Sequence, residues 1–231
     1  MTTVSKKQGS WFLQIRELCL TYRLPDPLIL IKNPPSKAVF KKKYKTNVIV
    51  YWEQKLRSHA SGLRSLLYFK TSFMSLSSVH PLWSTCSSNP YEVNKAVVQA
   101  RMLSGRYRTQ SLRSHFDSEN VPHCKLCSSN EVENLTHILI ECQALESIRI
   151  NVIRGWLETQ QPSILNTVLE SLHDELSVQF LLDCSVLPSV IVLTQTINEN
   201  IVLPLLFKLT RNYCFNLHKG RQKLLGLWER L

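Results

Sequence analysis

Hydrophobic positions recur at helical spacing along most of the chain. In residues 11–22, apolar side chains fall three or four positions apart, as in a helix with one buried face. A second helix is predicted over residues 37–59, with Ser36 as its N-cap after two prolines. Residues 46–52 are rich in β-branched and aromatic side chains and are also compatible with a strand. The length of the segment and its basic flank favour the helix.

Clear start and stop signals frame a third helix. Asn89 is a suitable N-cap, and Pro90 fits the first helical position because its missing N–H would be unpaired there in any case. The helix is predicted to run to about Ser104, with Gly105 as the residue that ends it. Its apolar positions, expected to be buried, are Val93, Val97, Ala100 and Leu103.

The last third of the chain also has the helical period. Prolines at 162, 188 and 204 are interpreted as breaks between helices. The predicted helices cover residues 144–159, 163–171, 172–184, 189–200 and 204–228. Together with the low glycine content and the scarcity of alternating runs, these patterns predict a mainly α fold that carries a small cysteine-rich insertion.

Charge is distributed unevenly between the two halves. The chain of 231 residues has a formal charge of +11. Residues 1–116 hold 19 basic and 4 acidic side chains, whereas residues 117–231 hold 9 basic and 13 acidic ones. A basic half indicates a polyanionic partner, most often nucleic acid, because phosphate binding releases condensed counterions. A merely solvated surface and an anionic membrane are the alternatives.

Composition limits the class of protein. A hydrophobic fraction of 44% argues against a largely disordered chain. No run approaches the roughly 20 uninterrupted apolar residues of a membrane span, and the N-terminal sequence lacks the apolar core of a secretory signal. We therefore expect a nuclear or cytoplasmic protein that is not secreted and has no membrane partner. Disulfides are disfavoured there, so the seven cysteines are expected to be buried thiols or metal ligands.

Four of the potential ligands follow a zinc-binding spacing. They are Cys124, Cys127, His137 and Cys142, in the order C-x2-C-x9-H-x4-C. Three thiols and one imidazole make a closed tetrahedral set that suits structural Zn²⁺. Buried or redox-active thiols beside an ordinary histidine are the alternative interpretation. Of the other cysteines, Cys19, Cys184 and Cys214 are expected in the core, and Cys86 has no assignment.

Catalytic patterns are missing from the sequence. It contains no phosphate-binding glycine loop, no nucleophile elbow and no metalloprotease motif. It also lacks the paired metal-binding aspartates of a polymerase or nuclease. Four protein ligands leave no coordination position for water, so the predicted zinc site is structural. We therefore expect a protein that is not an enzyme.

Two basic segments are candidates for contact with nucleic acid. The first has three arginines around a glycine and a tyrosine; arginine can bind phosphate in a bidentate way and tyrosine can stack on an unpaired base. A capped helix end with solvated arginines is the alternative. The second is a lysine cluster, which suits backbone contact or nuclear import. The residues are Arg101, Arg106, Tyr107 and Arg108 in the first segment and Lys41, Lys42, Lys43 and Lys45 in the second.

These features divide the chain into three predicted regions. Residues 1–116 form a basic helical region, residues 117–149 a CCHC zinc-binding module, and residues 150–231 a C-terminal helical region. The module is too short to bury much apolar surface, so metal binding is expected to order it.

The same residues carry a family resemblance. Residues 100–109 read ARMLSGRYRT, the cysteine pair follows, and residues 133–145 read ENLTHILIECQAL. This pattern resembles the zinc-binding region near the C-terminus of non-LTR (LINE-type) retrotransposon reverse transcriptases, and the likeness covers nearly the whole chain. The flanks at 89–100 and 179–188 are similar as well. One departure is Gln143, where such sequences often have proline; it does not affect the ligands.

The resemblance implies a part of a larger enzyme. It implies metal binding by the four cysteine and histidine ligands and contact with template RNA or target DNA. It also implies the upstream polymerase modules of the parent polyprotein as partners. It does not imply polymerisation, because the polymerase and nuclease residues of the family do not occur in this sequence. A structural or protein-interaction fragment in which zinc only holds the fold is the alternative.

Overall fold

A computed structural model describes residues 11–71, 74–158 and 177–227 of the chain. Within these ranges the regular structure is helical, apart from one isolated antiparallel bridge between His123 and Val132. The predicted mainly α fold is therefore confirmed. The chain forms two units, and residues 117–149 lie within the second one. The three-region division remains a prediction.

The first unit comprises residues 11–62 and 74–78 of the described chain. Its helices are α1 (Trp11–Thr21), α2 (Pro27–Lys32) and α3 (Lys37–Ser61). The Ser36 hydroxyl accepts a hydrogen bond from the backbone N–H of Val39 at 3.4 Å, which confirms its predicted role as N-cap. Residues 46–52 belong to α3, so the alternative strand is wrong.

Few side chains of the first unit are buried. Within its described residues the buried positions are Cys19, Leu24, Pro27 and Ala60. By contrast, Trp11 is 73% exposed and Ile31 is 71% exposed. Apolar side chains of this size normally seek burial. The helices of this unit therefore present apolar surface as well as their basic residues.

The second unit comprises residues 63–71 and 79–227 of the described chain. A single long helix, Glu199–Leu224, provides its centre, and the bundle packs around it. The α-helices are α4 (Pro81–Ser84), α5 (Pro90–Leu103), α6 (Gln110–Ser114), α7 (Glu146–Leu157), α8 (Ser177–Leu182), α9 (Pro188–Leu193) and α10 (Glu199–Leu224). Short 3-10 or π turns lie at Arg64–Leu66, His137–Glu141, Gln143–Leu145, Cys184–Val186 and Thr194–Asn198.

Helix α10 contacts α5, α7 and α8 and buries most of one face against them. Leu206, Phe207 and Leu217 on this face are fully buried. A buried amide reinforces the packing, since Gln99 Nε2 donates to the carbonyl of Leu181 at 2.8 Å and to the Thr210 hydroxyl at 3.1 Å. One side chain thereby joins α5, α8 and α10.

Pro204 does not separate two helices as predicted, because it lies inside α10. A proline within a helix removes one backbone hydrogen bond, here to the carbonyl of Asn200. The loss falls near the start of the helix, directly after the π turn Thr194–Asn198. Burial of Leu203 and Phe207 on either side offsets it.

The predicted ends of α5 are confirmed, but its predicted buried face is only partly right. Asn89 accepts from the backbone N–H of Tyr91, and Gly105 follows the helix with a φ of 65°. Leu103 is buried as expected, whereas Val93 is 37% exposed. Val97 and Ala100 are half-buried. The face that contacts the core is displaced by part of a turn and carries Ala96, Val98, Gln99, Met102 and Leu103.

Several predictions for the last third lie partly outside the described residues. The helix predicted at 163–171 lies wholly outside them, as do residues 172–176 of the helix predicted at 172–184 and residue 228 of the helix predicted at 204–228. The predicted helix 144–159 is observed as α7, and 189–200 as α9 followed by the π turn. Cys19, Cys184 and Cys214 are buried thiols, as expected.

One helical stretch meets the length and composition of a membrane span. Pro188–Leu224 contains an 18-residue window with a mean hydropathy of 1.5, of which 28% is buried. The core helix of a soluble protein can have the same length and composition. This stretch includes the central helix of the second unit, and the prediction of no membrane partner remains a prediction.

Gly105 is expected to be the glycine least tolerant of substitution. A Cβ there would lie 2.1 Å from the backbone oxygen of Ser65, and its φ of 65° already disfavours an L side chain. We expect Gly105→Ala to lower the free energy of unfolding by at least 1–2 kcal/mol, about the usual cost of a left-handed residue. Chemical denaturation measures the effect. Gly226→Ala is the control, because Gly226 has the same φ and open space around it. Equal effects of the two substitutions would contradict the clash.

Candidate metal centre

The first two potential ligands lie on a tight turn closed by backbone hydrogen bonds. The N–H of Cys124 donates to the carbonyl of Glu131, and the N–H of Glu133 donates to the carbonyl of Pro122, both at 2.9 Å. Asn130 allows the reversal, because it adopts a φ of 55° in the left-handed region that asparagine tolerates. The chain between Cys124 and Cys127 is thereby folded back toward the segment that carries the other two ligands.

A π turn aligns His137 with Cys142. In a regular α-helix, residues five positions apart point about 140° away from each other. Here the backbone N–H of Cys142 donates to the carbonyl of His137 at 2.7 Å, which is the five-residue hydrogen bond of a π-helix. The wider turn brings the two side chains to one side. The spacing of four intervening residues thus requires a local structure that hydrophobic periodicity does not reveal.

The four side chains meet around one point. Their ligand atoms all lie within 4.8 Å of one another. The sulfurs of Cys124 and Cys142 are 3.9 Å apart, and the Cys127 sulfur is 3.4 Å from His137 Nε2. With usual Zn–S and Zn–N bond lengths, tetrahedral geometry requires separations of about 3.8 Å and about 3.5 Å. The residues therefore fit a single tetrahedral metal ion, and the predicted set is brought together as a cluster.

Burial favours the protonated form of two of the three thiols. It raises the pKa of Cys124, and burial beside the Cys124 thiol raises the pKa of Cys142 to about 12. Burial acts on Cys127 in the same direction. Hydrogen bonds from the hydroxyl and backbone of Ser129 and from other neighbours outweigh it and lower the pKa of Cys127 to about 6. A metal ion binds thiolates, so metal binding here releases protons.

His137 is buried, and its backbone is held by a side-chain hydrogen bond. Its side chain is 2% exposed, and its backbone N–H donates to the Asn134 side chain at 2.8 Å. Nδ1, the ring nitrogen that faces away from Cys127, lies 3.6 Å from a carboxylate oxygen of Glu141. A carboxylate that accepts a hydrogen bond from the second nitrogen of a metal-binding histidine orients the ring and selects its tautomer. At 3.6 Å no such bond is formed, and Nδ1 has no hydrogen-bond partner within the described residues, so Glu141, which sequence analysis did not identify, is the neighbouring group that would take this role on moving closer.

A second set of potential ligands shares the same histidine. Glu131, His137 and Glu141 also lie close enough to hold a cation. Both carboxylates are exposed, and carboxylates with one histidine make a harder ligand set than thiolates. The buried thiol set fits a borderline-soft ion better, and it uses a histidine nitrogen that already faces sulfur.

Buried polar contacts fasten the metal-site segment to α10. The hydroxyl of Tyr213 donates to the carbonyl of Leu139 at 2.7 Å. The Arg221 guanidinium donates to the Glu133 carboxylate at 2.6 Å, and the two side chains are 1% and 0% exposed. Burial opposes the charge of Arg221, but the hydrogen bond and charge of Glu133 outweigh it and raise the pKa of Arg221. The segment that carries the candidate metal cluster is thus held against the central helix by buried polar contacts.

The structure corrects the role predicted for Tyr107. Its side chain is buried at 6% exposure, and the Arg221 guanidinium lies 5.7 Å from the centre of its ring. Its hydroxyl is 3.0 Å from His218 Nδ1, and burial raises the pKa of Tyr107 to about 12. A base cannot stack on a ring whose surroundings are already filled. The alternation of arginine and tyrosine in the sequence does not indicate that this tyrosine faces inward.

The other predicted nucleic-acid residues lie at the surface, in two groups. Arg101, Arg106 and Arg108 are exposed in the second unit. Arg106 and Arg108 line a cleft together with Arg113, which the sequence interpretation missed. The lysine cluster, formed by Lys41, Lys42, Lys43 and Lys45, is exposed on α3 of the first unit.

Comparisons with known proteins assign no family to the chain. No family model, no curated protein and no solved structure matches it. The resemblance to LINE-type reverse transcriptases therefore rests on the residues quoted from the sequence.

Proposed function

We propose that the protein is a zinc-binding, nucleic-acid-binding C-terminal portion of a non-LTR retrotransposon reverse transcriptase, without a polymerase centre of its own. The observation that carries the proposal is the buried cluster of Cys124, Cys127, His137 and Cys142 in a strongly basic chain. Such a part binds template RNA or target DNA and acts beside the polymerase modules of the parent polyprotein.

Zinc is the metal that suits this cluster best. Thiolate ligands with tetrahedral geometry select Zn²⁺ over the harder Mg²⁺ and Ca²⁺, which take oxygen ligands. A closed set of three sulfurs and one imidazole leaves no position for water, so the ion supplies a crosslink and no hydrolytic chemistry. The crosslink joins the turn at Cys124 to the segment that α10 holds in place.

Nucleic-acid binding is supported by charge that stays at the surface. Residues 1–116 carry 19 basic against 4 acidic side chains, and the proposed contact residues other than Tyr107 are exposed. Each phosphate neutralised makes the logarithm of the binding constant fall with the logarithm of salt concentration by about 0.7–0.9. Binding to RNA or DNA is therefore expected to weaken steeply as salt rises, and salt-independent binding would contradict the proposal.

The double variant Arg106→Ala/Arg108→Ala tests the arginine surface. We expect weaker binding to RNA and DNA and a salt slope smaller by about 1.4–1.8, because two phosphate contacts are lost. Fluorescence anisotropy across a salt series measures both quantities. Arg154→Ala, which removes an exposed arginine from α7, is the matched control and should bind as the parent does. Unchanged binding by the double variant would place the nucleic-acid surface elsewhere.

A structural or protein-interaction role is the second candidate. It is favoured by the exposed apolar side chains of the first unit, since large apolar patches commonly mark protein interfaces. Under the first proposal, the partners for this apolar surface would be the polymerase modules of the parent polyprotein. A folded, zinc-loaded protein that fails to retard RNA or DNA at low salt would favour the second candidate. DNA synthesis in a primer-extension assay would contradict both.

A further inference from the structure

A cleft lies between the irregular residues 106–108 and the C-terminal end of α6. It encloses about 500 Å³. The adjoining helix α6 is capped by Thr109, whose hydroxyl accepts from the backbone N–H of Leu112 at 3.0 Å. Its lining residues are Arg106, Arg108, Leu112, Arg113, Phe116, Asp117 and Asn120.

The cleft has positive charge that the protein itself does not neutralise. Within the described ranges, the guanidinium groups of Arg106, Arg108 and Arg113 have no hydrogen-bond or ion-pair partner. Asp117 is the acidic residue among those that line the cleft. Its carboxylate accepts from the backbone N–H of Glu119 at 3.0 Å and from the Asn120 amide at 2.5 Å. The cleft is therefore lined by three arginines and one acidic residue, and the carboxylate of that residue already accepts hydrogen bonds from its neighbours.

An unusually exposed aromatic ring stands at the same cleft. Phe116 is 85% exposed, more than any other large hydrophobic side chain in the described part of the chain. Its backbone N–H donates to the carbonyl of Arg113 at 3.0 Å, which places residue 116 directly after α6, and the side chain lines the cleft with the arginines. Removing an apolar ring from water is favourable, so a ligand that covers Phe116 gains free energy from that contact.

We propose that this cleft binds an unpaired nucleobase, which stacks on Phe116 while the three arginines hold the flanking phosphates. The inference rests on the proposed function and specifies the ligand as single-stranded nucleic acid. Stacking requires an open base face, which a double helix does not present along its length. Phe116 takes the role that the sequence had suggested for Tyr107. An acidic peptide would satisfy the arginines but would leave the ring without a planar partner.

Three substitutions of Phe116 test the stacking step. The probes are a fluorescein-labelled oligouridylate, which is unstructured, and an RNA duplex of the same length. Phe116→Ala should weaken oligouridylate binding about fivefold to 150-fold, the usual range for one base–aromatic stack, and change duplex binding less than about twofold. Phe116→Leu keeps apolar volume without a π face and should behave like alanine. Phe116→Trp should bind at least as well as the parent.

Controls separate this inference from the proposed function. Val192→Ala removes a side chain that is 56% exposed on α9, and it should leave both affinities unchanged. Thermal unfolding should be the same for the Phe116 variants and the parent, because the ring has little to pack against. Polyglutamate serves as the competitor that mimics an acidic peptide. If it displaces the labelled probe as well as unlabelled oligouridylate does, and if this competition is lost in Phe116→Ala, the ligand is an acidic peptide and the inference is overturned.

The remaining outcomes also decide between the two claims. Two results would overturn the stacking site while leaving the proposed function standing, provided that the parent binds in a salt-sensitive way. One is an equal loss of affinity for single strand and duplex in Phe116→Ala. The other is a Phe116→Leu protein that binds as tightly as the parent. A parent protein that binds neither probe at low salt overturns both. Selective loss on the single strand, rescued by tryptophan, supports the site.

Discussion

Replacing Cys142 by serine is expected to remove the metal ion and to unfold the second unit. Cys142 is the most deeply buried thiol of the candidate cluster, at 1% exposure, and its sulfur lies 3.9 Å from that of Cys124. Its carbonyl accepts from the Arg149 side chain at 2.8 Å, so the residue also fixes the start of the following helix. A serine hydroxyl is a poor replacement for a thiolate ligand of zinc.

The size of this effect follows from what metal binding contributes. Structural zinc in small zinc-finger peptides supplies about 10–16 kcal/mol of apparent binding free energy at neutral pH, which exceeds the net stability of most domains. We expect Cys142→Ser to contain less than about a tenth of the parent's zinc and to lose its cooperative thermal transition. A strong chelator should do the same to the parent protein. Elemental analysis and circular dichroism measure the two quantities.

Cys86→Ser provides the matched control for this substitution. Cys86 is half-buried in the same unit and lies outside the metal cluster, and its thiol donates to the carbonyl of Ser87. It should keep the zinc and the thermal transition of the parent. A Cys142→Ser protein with unchanged zinc content and melting temperature would show that Cys142 is not a ligand.

The second large effect is expected at the buried ion pair between Glu133 and Arg221. Glu133→Gln leaves the guanidinium buried without a counter-charge, which typically costs about 3–5 kcal/mol of stability. The amide oxygen of glutamine can still accept from the backbone N–H of Gln110, which Glu133 accepts at 2.8 Å. The loss of stability measured by chemical denaturation therefore reports the charge pair rather than the hydrogen bond from the Gln110 backbone.

A double-mutant cycle tests whether the two charges act together. Arg221→Met alone leaves the carboxylate buried, and the double variant Glu133→Gln/Arg221→Met removes both charges. The double variant should lose clearly less than the sum of the two single losses, by at least about 1 kcal/mol. Arg16→Met breaks the exposed pair with Asp26 and should cost less than about 1 kcal/mol. Additive losses in the cycle would contradict a coupled pair.

Local chemistry in the sequence was sufficient for the ends of several helices. Ser36 and Asn89 each cap the helix predicted for them, and Gly105 ends α5 in the left-handed conformation expected of glycine. The four side chains of the candidate metal cluster were also found from spacing, since the spacing itself restricts how the turn can fold. These features depend on interactions between residues close together in the chain.

The features that the sequence interpretation missed depend on contacts between distant residues. Tyr107 is buried because Arg221 and His218, more than a hundred positions away, pack against it. Glu133 is buried because it pairs with Arg221, which is distant in the sequence. Pro204 is tolerated within α10 because side chains on both sides of it pack against the rest of the unit. The buried face of α5 is displaced for the same reason. A single sequence carries no direct record of such pairings.

X-ray absorption at the zinc edge, on protein purified without chelator or a histidine tag, tests the central claim most directly. We expect about one zinc per chain with three sulfur neighbours at about 2.3 Å and one nitrogen neighbour at about 2.0 Å. That shell is the one that Cys124, Cys127, His137 and Cys142 provide. A shell of oxygen and nitrogen alone would indicate Glu131, His137 and Glu141 instead and contradict the account, as would protein that contains no metal.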